Sequence, residues 1–204
     1  MKQLLFFLFF LGHTIFLMGQ ATIEYIKPWK LKGNLSCSYK LKYTALQRQQ
    51  FYPFVIADSI KMVTFRYHRN NLPIKGERLI IDSIVEMITL TKKDIDEVTD
   101  ILYNNFYKKK PNYGSLAQCF FPRNAILFYD SNGNLREYIL ICFHCENSKK
   151  SSDKVQLGDA CSEKIDKLRL FFIGKGLTYG TDKNAELYND EESDEGIISK
   201  KTNL

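Results

Sequence analysis

Cys119, Cys142, Cys145 and Cys161 are the residues of this chain best equipped for chemistry. Their spacing is C-x22-C-x2-C-x15-C, with the close pair inside Ile141-Cys142-Phe143-His144-Cys145-Glu146. Three chemistries use such a set. In an oxidising compartment the thiols couple and restrict the unfolded chain, each bond contributing about 2–4 kcal/mol. A C-x-x-C with a depressed thiol pKa shuttles electrons. Four thiolates can instead hold zinc.

The surrounding chain must position these residues. Ala125 to Tyr129 and Leu135 to Phe143 are apolar, β-prone runs separated by Asp130-Ser131-Asn132-Gly133-Asn134. Asn-Gly favours a type I′ hairpin turn, because both central residues need positive φ. A two-residue loop there pairs Ser131 with Asn134. That register sets Arg123 opposite Cys142, and Cys119 opposite Glu146, one position beyond Cys145. A single β-bulge brings Cys119 opposite Cys145 on the same face, which makes Cys119–Cys145 the first candidate disulfide.

Along an extended strand Cys142 and Cys145 lie roughly 10 Å apart, too far for a bond that needs Cα atoms within about 7 Å. Joining them requires the strand to end and turn at Cys142. Cys142 could instead reach Cys161 at the start of a following helix. Four cysteines allow three connectivities, and sequence does not choose among them. Cys37 is the odd fifth, either free or paired between chains. Arg123 is a candidate anion-binding group that could hold a carboxylate or depress a thiol pKa. Its plainer reading is an outward-facing strand arginine.

Upstream, Ile60 to Tyr67 alternates as a strand, and Arg78 to Leu90 reads as a second, longer one. Thr91 opens a helix, with Asp94 completing a capping box. Ile95, Val98, Leu102 and Phe106 share one face of it. Lys108 to Lys110 suit its C-terminal dipole end, and Pro111 is its expected stop. A last helix is expected from Asp159 to Ile173, with Cys161, Ile165, Leu168 and Phe172 on one face and Gly174 or Gly176 ending it. The order strand, strand, helix, hairpin, helix, with mainly antiparallel pairing, predicts an α+β fold of one sheet packed by two helices.

The first residues set the compartment. Lys2 is a positive n-region, and Leu4 to Met18 is apolar apart from Gly12, His13 and Thr14. Small residues Gly19 and Ala21 follow, so residues 1–19 read as a cleaved signal peptide. The apolar run is short of the roughly 20 residues of a membrane span, and no later segment is long and apolar enough to make one. No cysteine follows the run closely enough for lipidation. The mature chain is expected in the periplasm or outside the cell, where disulfides persist.

The 204 residues carry a net charge of +6, unevenly spread. Residues 20–53 form a basic, aromatic arm with Lys27, Lys30, Lys32, Lys40, Lys42 and Arg48 against Glu24 alone. Such an arm either meets an anionic surface, such as lipopolysaccharide, an acidic glycan or a partner protein, or packs its aromatics on the domain. Residues 54–180 form the cysteine-containing domain. Residues 181–204, with Asp190, Glu191, Glu192, Asp194 and Glu195, read as an acidic disordered tail. Nucleic acid is not an expected partner, because the chain is exported and carries no motif for it.

Other signals point nowhere. Past the leader the histidines are His68 and His144, neither in a nucleophile motif. A calcium loop starting at Asp130 would need a bidentate Glu where Ile141 stands. Gly174-Lys175-Gly176 follows a helix, where a phosphate loop precedes one. No clustered carboxylate pair suggests glycosidase chemistry. Cys-Phe-His-Cys looks similar to the active motif of exported thioredoxin-class oxidoreductases. In this chain, however, no βαβ unit precedes it and no apolar helical period follows it. The zinc spacing has one short ligand pair where a structural site uses two.

Cys119-Phe120-Phe121-Pro122-Arg123-Asn124-Ala125-Ile126, then a Phe-Tyr-Asp turn, then Ile141 to Cys145, resembles the paired blocks of a family of secreted bacterial proteins of unknown function, common in Bacteroidetes. In that family the blocks resemble C-x-x-P-R-[HN]-[AG]-I and I-C-F-x-C, often with Glu where His144 stands. The likeness spans residues 57–180. It implies an envelope or extracellular domain in which Cys119, Arg123, Cys142 and Cys145 matter together, and it brings no activity with it. The expectation is therefore a secreted or periplasmic, disulfide-stapled, non-catalytic domain. It would need no cofactor and would bind an envelope or extracellular partner, its oligomeric state left open. The alternative is a thiol redox or zinc-binding protein using Cys142 and Cys145.

Overall fold

The computed structural model describes residues 36–67, 74–76, 78–109 and 119–183. The expected signal peptide, the arm up to residue 35, His68 and the tail beyond residue 183 lie outside the described residues. In chain order the elements are β1 (Cys37–Tyr39), α1 (Ala45–Arg48), β2 (Ser59–Phe65), β3 (Ile74–Lys75), β4 (Arg78–Leu79), β5 (Ile84–Thr89), α2 (Lys92–Tyr103), β6 (Asn105–Tyr107), β7 (Asn124–Tyr129), β8 (Leu135–Cys142), β9 (Asn147–Lys150) and α3 (Ser162–Gly174).

Five strands form one antiparallel sheet in the order β5-β2-β7-β8-β9, and two further pairs, β1-β6 and β3-β4, stand beside it. This is the α+β architecture expected, with α2 and α3 as its two long helices and a one-turn α1 added. Period-two alternation explains which face each strand residue takes. Ile60, Met62, Ile126, Phe128, Ile139 and Ile141 face the helices and meet Val98, Leu102, Leu168, Phe171 and Phe172. Val63, Phe65, Ala125, Leu127 and Leu140 point the other way and pack with Ile74, Leu79, Ile84 and Phe120. β7 is buried on both faces, which is why its sequence is a continuous apolar run. Each large side chain so buried contributes about 1.5–3 kcal/mol.

The expected hairpin register is present. Asn124 pairs with Ile141, Ala125 with Leu140, and Ile126 with Ile139. The turn that sets it is different. Gly133 N donates to Asp130 O at 3.0 Å, Asp130 N donates to Asn134 O, and Gly133 has φ +76°. This is a three-residue loop closed by a left-handed glycine, not a two-residue type I′ turn. The Asp130 carboxylate holds it by accepting from Asn132 N and Asn134 N. A register shift beside Tyr129 absorbs the extra residue, so the strands beyond it pair as a shorter loop would pair them.

Thr91 and Asp94 form the expected capping box of α2. The helix stops at Tyr103, well before Pro111. Asparagines end it: Asn104 Nδ2 donates to Asp100 Oδ1 at 2.6 Å, and Asn105 Nδ2 to Ile101 O at 2.9 Å. Such bonds compete with helix propagation. Phe106 therefore lies in β6, paired across from Ser38, and not on the α2 face. The long strand expected from Arg78 to Leu90 is broken by a 3-10 turn at Ile81–Ser83, where Ser83 Oγ bonds back to Ile80 O at 2.8 Å. The last helix begins at Ser162, with Cys161 as its N-cap position.

From Cys37 onward, the stretch read as an arm is integral to the domain. β1 pairs with β6, and Tyr43, Phe51 and Tyr52 pack on the core. Arg48 is buried, forms ion pairs with Asp96 and Asp100, and donates to Tyr43 O at 2.7 Å.

Candidate functional site

β8 ends at Cys142, and residues 143–146 reverse the chain into β9, whose Asn147 pairs back with Cys142. Glu146 takes a left-handed φ of +48°, and its N–H donates to Phe143 O at 3.3 Å. The C-x-x-C therefore spans a tight turn. The turn brings the Cys145 N–H within 3.3 Å of Cys142 Sγ, the sulfur accepting. Yet Cys145 is bonded to Cys119, with Cα atoms 5.8 Å apart. Cys142 is a buried free thiol. Three sulfurs thus gather at one end of the sheet, two bonded and one reduced.

Cys161 does not belong to that group. It is joined to Cys37 across 124 positions of sequence, with Cα atoms 5.1 Å apart. Two expectations are corrected here: Cys142 does not reach Cys161, and the odd cysteine is Cys142, not Cys37. Pairing of β1 with β6 delivers Cys37 to the N-terminus of α3. There Cys37 N donates to Glu163 Oε2 at 2.6 Å, an acidic group suited to the positive end of the helix. The zinc alternative needs the sulfurs of Cys119, Cys142, Cys145 and Cys161 as thiolates. In this covalent arrangement only Cys142 of the four has an unbonded sulfur, and no group of three or more His, Cys, Asp or Glu among the described residues is placed to hold a metal.

A strap of chain, residues 177–183, crosses this end of the molecule after α3. It begins at Leu177, buried in the core. The Thr178 and Tyr179 N–H groups then donate to Glu86 Oε2 at 2.9 and 3.1 Å, and Thr178 Oγ1 donates to Oε1. Burial would raise the Glu86 carboxyl pKa, but these bonds and one from Thr64 hold it below its ordinary value. Asn124 Nδ2 donates to Tyr179 O at 3.0 Å. Gly180, at φ +69°, lies so close to the sheet that a Cβ there would stand 2.4 Å from Arg123 Cβ. Arg123 is accordingly buried under the strap, not outward-facing. The strap ends where His144 Nδ1 meets Lys183 O at 2.7 Å, and Lys183 Nζ reaches Asp166 at 3.0 Å and Glu146 at 3.2 Å. Burial pulls the Lys183 pKa down, and its bonds to Asp166 and Glu146 more than offset this, leaving it raised.

The strap therefore touches Arg123 and Asn124 on one side of Cys142 and His144 and Glu146 on the other. The hairpin register places Arg123 opposite Cys142, but nothing in Leu177-Thr178-Tyr179-Gly180-Thr181 announces the strap. Glycine was the available sign, because only a residue without Cβ fits against Arg123.

Other buried polar groups serve structure. Glu137 accepts from Tyr52, Ser151 and Ser152. That bond, with burial, pushes Tyr52 up to about 12. Lys164 donates to Leu102 O at 2.6 Å and Leu157 O at 3.1 Å, closing the end of α2. A groove of about 360 Å³ between α2 and α3 has Ile101, Leu170 and Phe171 in its walls. Its lysines are engaged, Lys175 with Asp94 and Glu97, and Lys167 with Asn105. No helix among the described residues is long and apolar enough to cross a membrane. These features define the class: an α+β domain stapled by two disulfides, with a third sulfur beside one of them. No family model, curated protein or solved structure matches the chain.

Proposed function

We propose that the chain works in the periplasm or outside the cell as a disulfide-stapled, non-catalytic domain that binds an envelope or extracellular partner. One observation supports this above others. Cys37–Cys161 and Cys119–Cys145 each tie distant parts of one core, an arrangement suited to an oxidising compartment. The buried ionisable groups Arg48, Glu137 and Lys164 satisfy backbone and neighbouring side chains, leaving no assembled nucleophile and base among them. The signal-peptide reading of residues 1–19 and the resemblance to secreted Bacteroidetes proteins belong to the same proposal. The test is an assay in which dithiothreitol reduces oxidised glutathione, with the glutathione released followed chromatographically in the presence and absence of the protein. The reading expects no turnover above buffer. Turnover that disappears in Cys142→Ser or Cys145→Ser would overturn it.

A further inference from the structure

We propose that Cys119, Cys142 and Cys145 form an exchangeable three-sulfur switch, and that the 177–183 strap controls whether it exchanges. The turn at 143–146 supplies the geometry. It folds Cys142 Sγ onto the backbone amide of Cys145, the residue whose own sulfur is bonded to Cys119. A thiol held beside a disulfide exchanges with it through attack of the thiolate on the nearer sulfur.

The step balances within the protein. Cys142 loses its proton, and its thiolate attacks Cys145 Sγ. The Cys142–Cys145 bond forms as the Cys119–Cys145 bond breaks. The electron pair leaves with Cys119, which takes up a proton in place of the one Cys142 released. One disulfide and one thiol are present before and after, so no oxidant or reductant is consumed. The products differ in topology. The first closes a loop across 26 positions of sequence, and the second only the turn.

The released segment matters because of what it covers. Phe120, next to Cys119, packs against the apolar sheet face formed by Val63, Phe65, Ala125 and Leu127. Breaking the Cys119 tether frees that cover, so the exchange converts a covalent staple into a means of exposing apolar surface.

The strap supplies the control. Cys142 is buried, whereas Cys119 and Cys145 are partly exposed. The strap is fastened at Glu86, Asn124, His144 and Glu146, on both sides of Cys142. In place it holds the turn and the Arg123 segment together. Lifting it lets the turn adjust so that the thiolate can approach in line with the Cys119–Cys145 bond.

Alkylation distinguishes exchange from simple exposure. The folded protein is held at about pH 8.5, where an ordinary thiol is half ionised, with iodoacetamide, and is then mapped by non-reducing peptide mass spectrometry. Exchange places the label on Cys119 and leaves Cys142 linked to Cys145. Gly180→Ala puts a Cβ against Arg123 and an unfavourable left-handed residue in the strap, so labelling of Cys119 should accelerate about tenfold. Label on Cys142 with Cys119–Cys145 intact overturns the proposal, as does absence of label in both proteins. Cys119→Ser gives an independent check that does not depend on the strap. After oxidation with oxidised glutathione it must form Cys142–Cys145. A folded Cys119→Ser protein with both thiols still alkylatable contradicts the switch.

Discussion

Lys164 is 3% exposed, yet it carries an ammonium group in an apolar setting. Burial pushes its pKa down to about 8, with Asp159 opposing the fall only in part. The amine lies against Leu102 O and Leu157 O. A neutral amine keeps two N–H donors, enough for both carbonyls, so deprotonation relieves desolvation without breaking either bond. The folded pKa is depressed relative to an unfolded value of about 10.4. Between those values the unfolded chain binds the extra proton, so stability rises with pH. At about 1.4 kcal/mol per pKa unit, the charged lysine costs about 3 kcal/mol at pH 7, and most of this is regained by pH 10.

The perturbation is Lys164→Met, which keeps the stem and removes the titration. Urea unfolding of both proteins, followed by circular dichroism from about pH 7 to 10, gives the difference directly. Every other ionisable group is common to both proteins, and its contribution cancels. Wild-type stability should climb relative to Lys164→Met by about 2–3 kcal/mol across that range. A flat difference would refute the argument, and a falling one would mean that the bonds to Leu102 and Leu157 hold the charged form.

Three further outcomes follow from the same structure. Replacing both Cys37 and Cys161 by serine should cost about 5 kcal/mol, against about 3.5 kcal/mol for Cys119 and Cys145, because the first bond closes the longer loop; paired urea titrations check the order. The Asp94 carboxyl is held down at about 2, chiefly by the Lys175 ammonium and then by Thr91. Its contribution is full above its unfolded value of about 4 and is lost as pH falls through about 2, so Asp94→Asn should flatten the acid limb of the stability curve in that window. Arg48→Met removes the buried donor to Tyr43 O and Thr99 Oγ1 and the ion pairs to the more exposed Asp96 and Asp100; thermal melts should register a loss of about 1–3 kcal/mol.

Much of this molecule is written in local pattern. The capping box at Thr91 and Asp94 is a four-residue signal that depends on nothing distant. β7 and β8 carry enough apolar side chains to fix their register, and that register survived a different turn because a shift beside Tyr129 compensated for it. The unreadable parts depend on partners far away in sequence. β9, Asn-Ser-Lys-Lys, has no apolar alternation and is a strand only because β8 offers it an edge. β1 and β6 are three residues each, and their meeting decides that Cys161 bonds to Cys37. The Cys119–Cys145 pair was legible because the hairpin brings both blocks to one end of the sheet, although the turn after Cys142, and not the expected β-bulge, seats Cys145 there. The strap was not, since its contacts with Glu86, Arg123 and His144 exist only once the sheet has formed.

Two particular disulfides and one particular thiol define the covalent frame of this domain. A direct measurement is non-reducing peptide mapping of the purified protein, denatured in acid and alkylated with N-ethylmaleimide before exchange can occur. The expected result is a single alkylated cysteine, Cys142, with linked peptides containing Cys37–Cys161 and Cys119–Cys145. Alkylation of Cys37, a Cys142–Cys161 link, or a fully reduced set of thiols would contradict it.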